Sequence, residues 1–155
     1  MVMAKREKRK VFLIAISIIL SIVTFIATMI GLNNLATTEK LNRADYSIGT
    51  ISETGSIIDS KKSAYTKDMY NAEEIKITLD ENAQITYRVV FYDEDENFVS
   101  TTENLTEDYN VATTPENAKY FRVVITPNQV DEEDVKLNIF NVNKYTSMLE
   151  VEYKK

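Results

Sequence analysis

Residues 11–32, VFLIAISIILSIVTFIATMIGL, run for 22 positions without a charge or a proline. As a helix rising ~1.5 Å per residue the run is about 33 Å long, enough to cross the hydrocarbon core of a bilayer. A helix that is apolar on every side has no water-facing surface to offer a small soluble domain. The run therefore predicts a transmembrane helix. Before it stand Lys5, Arg6, Lys8, Arg9 and Lys10 against Glu7, and such basic flanks stay on the cytoplasmic side, where they meet anionic headgroups. Residues 33–155 carry 13 basic and 23 acidic side chains, and the same rule puts them outside. The run is too long for the apolar region of a cleaved signal peptide, and MIGLNNLATTE offers only a poor cleavage site after Ala36. The expected organisation is a cytoplasmic basic tail (1–10), a transmembrane anchor (11–32), a polar stalk (33–46) and an extracytoplasmic domain (47–155). This is a single-pass protein of the cell membrane.

Within the anchor, Ser17, Ser21, Thr24, Thr28 and Gly31 recur at spacings of four and three. At 3.6 residues per turn they fall within an arc of about 80°. A seam of small and hydroxylated residues lets a second helix, a copy or another protein's, approach closely and share hydrogen bonds. The same hydroxyls can also bond their own helix backbone.

From Tyr46 onward the hydropathy period shortens to two. EIKITLD (74–80) and QITYRVVFYD (84–93) alternate; in the latter Ile85, Tyr87, Val89 and Phe91 take one face, and Thr86, Arg88, Val90 and Tyr92 the other. DEDEN (93–97) is a turn and FVSTT (98–102) the returning strand of a hairpin. KYFRVVIT (119–126) points Phe121, Val123 and Ile125 to the core, and Pro127 ends it. KLNIFNV (136–142) and MLEVEY (148–153) read as two further strands. Short strands between polar turns predict a mainly β chain, an antiparallel β-sandwich behind one N-terminal transmembrane helix.

TISETGSIIDSKKSAYTKDMY (50–70), ITYRVVFYDEDENFVSTT (85–102) and TPENAKYFRVVIT (114–126) follow one another in an order similar to jelly-roll modules of bacterial surface and phage tail proteins, which are related in shape to carbohydrate-binding modules. The resemblance covers roughly residues 47–153. It implies a jelly-roll-like sandwich and a place on the cell surface. A lysine-, isoleucine- and asparagine-rich composition also suits a bacterial envelope.

The chain has no histidine, cysteine or tryptophan, which removes disulfides, thiol nucleophiles, Cys/His metal sites and Ser-His-Asp triads. No pair of carboxylates sits in a recognisable catalytic setting, so the domain is expected not to be an enzyme. Its negative charge repels phosphate and argues against nucleic acid as a partner. Arg88 and Tyr92 share the non-core face of one strand, and Tyr120 and Arg122 that of another. If those strands are neighbours, two guanidinium groups and two phenols line one surface. Aromatic rings stack on sugars, and arginine donates to hydroxyls and carboxylates. Asp93, Asp95 and Asn97 open like an EF-hand loop, but Phe98 replaces the needed glycine and Asn104 the bidentate glutamate. No cofactor is expected; a looser calcium site between DEDEN and DEED (131–134) is the one metal reading left. The expected function is a membrane-anchored, non-catalytic module binding a glycan or other envelope component. The alternative is an accessory subunit docking onto a larger membrane complex through the helix seam and the sandwich.

Overall fold

A computed structural model describes residues 10, 12, 15–25, 38–111, 114–130 and 133–154. The chain divides into two units, Met1–Ala36 and Thr37–Lys155. In the first, residues 15–25 are helical. Ile16, Ile18, Ile19, Leu20, Ile22, Val23 and Phe25 are all exposed. The Ser21 hydroxyl donates to the Ser17 carbonyl (2.9 Å), and the Thr24 hydroxyl lies 3.0 Å from the Leu20 carbonyl. These two hydroxyls thus bond their own backbone, while Thr28 and Gly31 of the expected seam lie outside the described residues. Among the described residues no helix is long and apolar enough to cross a membrane. Of the expected span, 11, 13–14 and 26–32 fall outside them, as does most of the basic tail.

The second unit is built from antiparallel sheets. One sheet has the order β1 (Thr38–Lys40), β12 (Leu149–Lys154), β7 (Ile75–Leu79), β10 (Tyr109–Val111). The other runs β2 (Tyr46–Ile48), β5 (Ala64–Thr66), β11 (Tyr120–Pro127), β8 (Ile85–Tyr92), β9 (Phe98–Thr101), with β6 (Tyr70–Asn71) also on β11. A small hairpin, β3 (Thr50–Ile51) and β4 (Ile57–Ile58), stands apart. Beyond the β8–β9 hairpin the chain passes from one large sheet to the other at each step: β9 to β10, β10 to β11, β11 to β12.

The two large sheets share one apolar core. Ile85, Tyr87, Val89 and Phe91 of β8 and Phe121, Val123 and Ile125 of β11 meet Ile75 and Ile77 of β7 and Leu149, Val151 and Tyr153 of β12. These are the faces that the alternation predicts. Each fully buried side chain of this size contributes about 1.5–3 kcal/mol. The rings of Tyr70, Phe121 and Tyr153 meet in tilted and edge-on pairs, with centroids 5.0–5.9 Å apart.

Two expectations change. The supposed stalk supplies β1, which pairs with the end of β12. Lys40 bridges Glu150 and Glu152 there, and the Tyr153 hydroxyl donates to Glu39 (2.8 Å). The segment 136–142 is no strand. Leu137 is buried, but Asn138 and Asn141 turn the chain with their side chains, and a short helix α1 (Val142–Thr146) follows. Asparagine amides that bond nearby backbone compete with a ladder, and here they win.

Candidate ligand-binding face

Strand alternation that turns Tyr87, Val89 and Phe91 inward turns Arg88, Val90 and Tyr92 outward, and on β11 it does the same for Tyr120, Arg122 and Val124. The register pairs Tyr120 with Tyr92, Arg122 with Val90 and Val124 with Arg88. The four residues expected to bind ligand therefore do lie together on adjacent strands.

The face is not the open platform that the sequence suggested. The β3–β4 hairpin crosses it and makes a second, smaller core, in which Ile51 is fully buried with Val90, Val124 and Tyr92, flanked by Tyr65, Met69, Phe98 and Tyr120. Arg88 Nη2 donates to the Ile51 carbonyl, and the Tyr92 hydroxyl donates to the Gly55 carbonyl (2.9 Å). Gly55 has φ +81°, and a Cβ on it would come within 2.7 Å of Phe98. Arg88 and Tyr92 are thus engaged in holding the hairpin down. The sequence places a strand and loop in this region but no hairpin over the face, and of the three isoleucines in TISETGSII only Ile51 is buried. The usable signal was the placement of two of the three glycines, Gly49 and Gly55, on either side of that isoleucine.

Tyr120 and Arg122 remain half-buried at the hairpin's edge. The Arg122 guanidinium lies 6.0 Å from the centroid of the Tyr92 ring, a cation–π distance. Burial pushes the Tyr92 phenol up, while Arg122 and Arg88 draw it partly back. Arg122 Nε and Nη1 are withdrawn from solvent and have no hydrogen-bond acceptor. A charged donor buried without an acceptor is costly, and natural folds seldom leave one. A carboxylate or phosphate oxygen brought to this guanidinium answers that deficit; a neutral hydroxyl answers it less strongly.

Beside this face, where β8 and β11 end and start, Asp93, Glu94, Asp95, Asn117, Ala118 and Lys119 line a shallow cleft. Asp93 is committed to its own turn. Its carboxylate accepts from the amides of Asp95 (2.9 Å) and Asn97 (2.8 Å) and from the Asn97 side chain (3.1 Å). Those bonds with Asn97, more than any other cause, hold its carboxyl below the usual range. The calcium reading fails on position. DEDEN follows Tyr92, at one end of β8, whereas residues 128–134 follow Pro127, which pairs with Ile85 at the other end. Eight residues of strand, roughly 25 Å, separate the two. Asp134 is in an ion pair with Lys62, and Asp131 and Glu132 lie outside the described residues. Among the described residues no group of three or more acidic side chains is placed to hold a metal ion.

Set against known proteins, the chain matches no family model, no curated protein and no solved structure.

Proposed function

We propose that this chain is a membrane-anchored, non-catalytic binding module whose extracytoplasmic domain takes an anionic glycan or envelope polymer at Arg122 and Tyr120. The observation that carries the reading is the Arg122 guanidinium, with Nε and Nη1 buried and no acceptor, in a domain rich in carboxylates that do not reach it. A carboxylate or phosphate group of the polymer supplies the missing acceptor when the side chains that cover Nε and Nη1 move aside for it. Tyr120, half-buried against the second core, keeps part of its surface for a sugar. Arg88 and Tyr92 position the site from beneath the hairpin. The repeated passage between sheets supports kinship with jelly-roll modules. The uncharged run 11–32 and its basic flank support the anchor.

The test is a pull-down of isolated cell wall and surface polysaccharide by the full-length protein in detergent. Saturable binding is expected, with loss in Arg122→Met and weakening in Tyr120→Ala, while the circular dichroism spectrum of both variants stays that of the parent. Binding retained by a folded Arg122→Met variant would move the function away from this face. Resistance of the protein to alkaline extraction from membranes checks the anchor separately.

A further inference from the structure

The turn between Leu137 and α1 carries the two most exposed large apolar side chains among the described residues of the domain, Ile139 (74% exposed) and Phe140 (90%). They are held there. Asn138 N–H donates to Asn141 Oδ1 (2.7 Å), Phe140 N–H to Asn138 Oδ1 (2.9 Å), and Asn141 Nδ2 to the Lys136 carbonyl (3.0 Å). The Leu137 amide is tied to the Lys61 carbonyl (2.6 Å), so the turn is fastened to the domain at its base. A turn fixed by these bonds that presents an isoleucine and a phenylalanine to water is prepared for an apolar environment.

Its surroundings are basic in a domain that is otherwise acidic. Lys61 and Lys136 line a depression with Ile48, Ile139 and one acidic side chain, Asp59, and Lys144 stands in α1 immediately after the turn. Segments 57–63 and 134–147 together hold four lysines and two aspartates, whereas residues 38–155 as a whole hold 13 basic and 23 acidic side chains. Asp134 and Lys62 pair with each other, which leaves Lys61, Lys136 and Lys144 against Asp59.

We infer that this turn is a second membrane contact, in which Ile139 and Phe140 enter the headgroup–acyl boundary of an anionic bilayer and the lysines meet its phosphates. Two protruding side chains offer far less than the ~800 Å² that each partner in a standard protein interface buries. A lipid surface needs no such area: a few apolar side chains and a basic rim act together there, and lysine stems lie along the boundary with their ammonium groups in the headgroups. The contact is independent of the Arg122 face.

The chain has no tryptophan, so Phe140→Trp places a single reporter at the apex. The full-length variant is reconstituted in phosphatidylcholine vesicles with and without phosphatidylglycerol, and with lipids brominated near the headgroup end of the acyl chain. The expected result is a blue-shifted emission that brominated lipid quenches, more strongly with phosphatidylglycerol, and less after Lys61→Gln and Lys136→Gln. Glu94→Trp, in the acidic turn at the far end of β8, is expected to stay water-like and unquenched. Water-like emission from Phe140→Trp, equal quenching of both reporters, or indifference to phosphatidylglycerol overturns the inference. A blue shift without bromine quenching that grows with protein concentration also overturns it, and assigns the turn to a second copy of the chain. Polysaccharide binding by the same preparations reports on the Arg122 face independently.

Discussion

Two buried phenols show what a single hydrogen bond decides. Tyr153 and Tyr46 are each 8% exposed, but the Tyr153 hydroxyl donates to Glu39 while the Tyr46 hydroxyl has no partner. Removing a buried hydroxyl that bonds nothing relieves a desolvation cost; removing one that bonds a carboxylate forfeits the bond. Tyr46→Phe is therefore expected to raise stability by about 1 kcal/mol, and Tyr153→Phe to lower it by about 1–2 kcal/mol, in urea unfolding at neutral pH. Both phenols, with Tyr70 and Tyr87, have their ionisation pushed up, chiefly by burial, Tyr153 to about 12. An unfolded tyrosine ionises near pH 10. Because the folded values lie above the unfolded one, this contribution to stability is fully present below pH 10 and is lost as pH rises through the folded values. Tyrosinate absorbance from these four rings is expected to appear only above pH 10 and together with the loss of circular dichroism. A single smooth titration over a folded protein would refute the burial of these rings.

The β3–β4 hairpin decides what the outer face of the larger sheet becomes. It has two-residue strands and exposes Ile57 and Ile58, so little beyond Ile51, Arg88 and the Tyr92–Gly55 bond holds it in place. Gly55→Ala adds a Cβ at a φ that favours glycine and drives it into Phe98. We expect it to cost about 1–3 kcal/mol and to speed amide exchange in residues 50–58 ahead of β8 and β11. Equal protection in parent and variant would mean that the hairpin is not held at Gly55. The strands β7, β8, β11 and β12 were legible because the inward face of each is buried and imposes period two, and β9 because it returns after the DEDEN turn. The hairpin was not, since a short element whose contacts are two backbone carbonyls and one isoleucine leaves no periodic trace. Alternation was enough to put Arg88 with Tyr92, and Tyr120 with Arg122, on the outward face of their strands; that β8 and β11 are neighbours was a condition of the reading, which the register meets. The inequality of the four was not legible, because only the hairpin separates Arg88 and Tyr92, which it uses, from Tyr120 and Arg122, which it leaves at its edge. The turn at 139–140 misled for a related reason, since isoleucine and phenylalanine normally signal a strand while the asparagines around them act through local bonds.

At the scale of the molecule, the folding unit begins earlier than its hydropathy suggests. Among the described residues, both core clusters draw their buried side chains from 46–153. Residues 38–41 nevertheless belong to the domain, through the β1–β12 ladder, the Leu41 amide on the Val151 carbonyl (3.0 Å), the Glu39–Tyr153 bond and the bridges of Lys40 to Glu150 and Glu152. The bridges are exposed and contribute little. The ladder and the phenol bond matter more, because β1 covers an edge that β12 would otherwise present to solvent. Two truncations separate these roles. Removing residues 1–36 is expected to leave the thermal midpoint of the β unit within ~2 °C of the full-length value in the same detergent. Removing residues 1–41 exposes the β12 edge and leaves Tyr153 without Glu39, a loss of about 1–3 kcal/mol, which for a domain of this size lowers the midpoint by roughly 4–10 °C. Equal midpoints would make 38–41 the stalk that its polar sequence suggested. A large fall already on removal of 1–36 would mean that the domain depends on the apolar helix to fold.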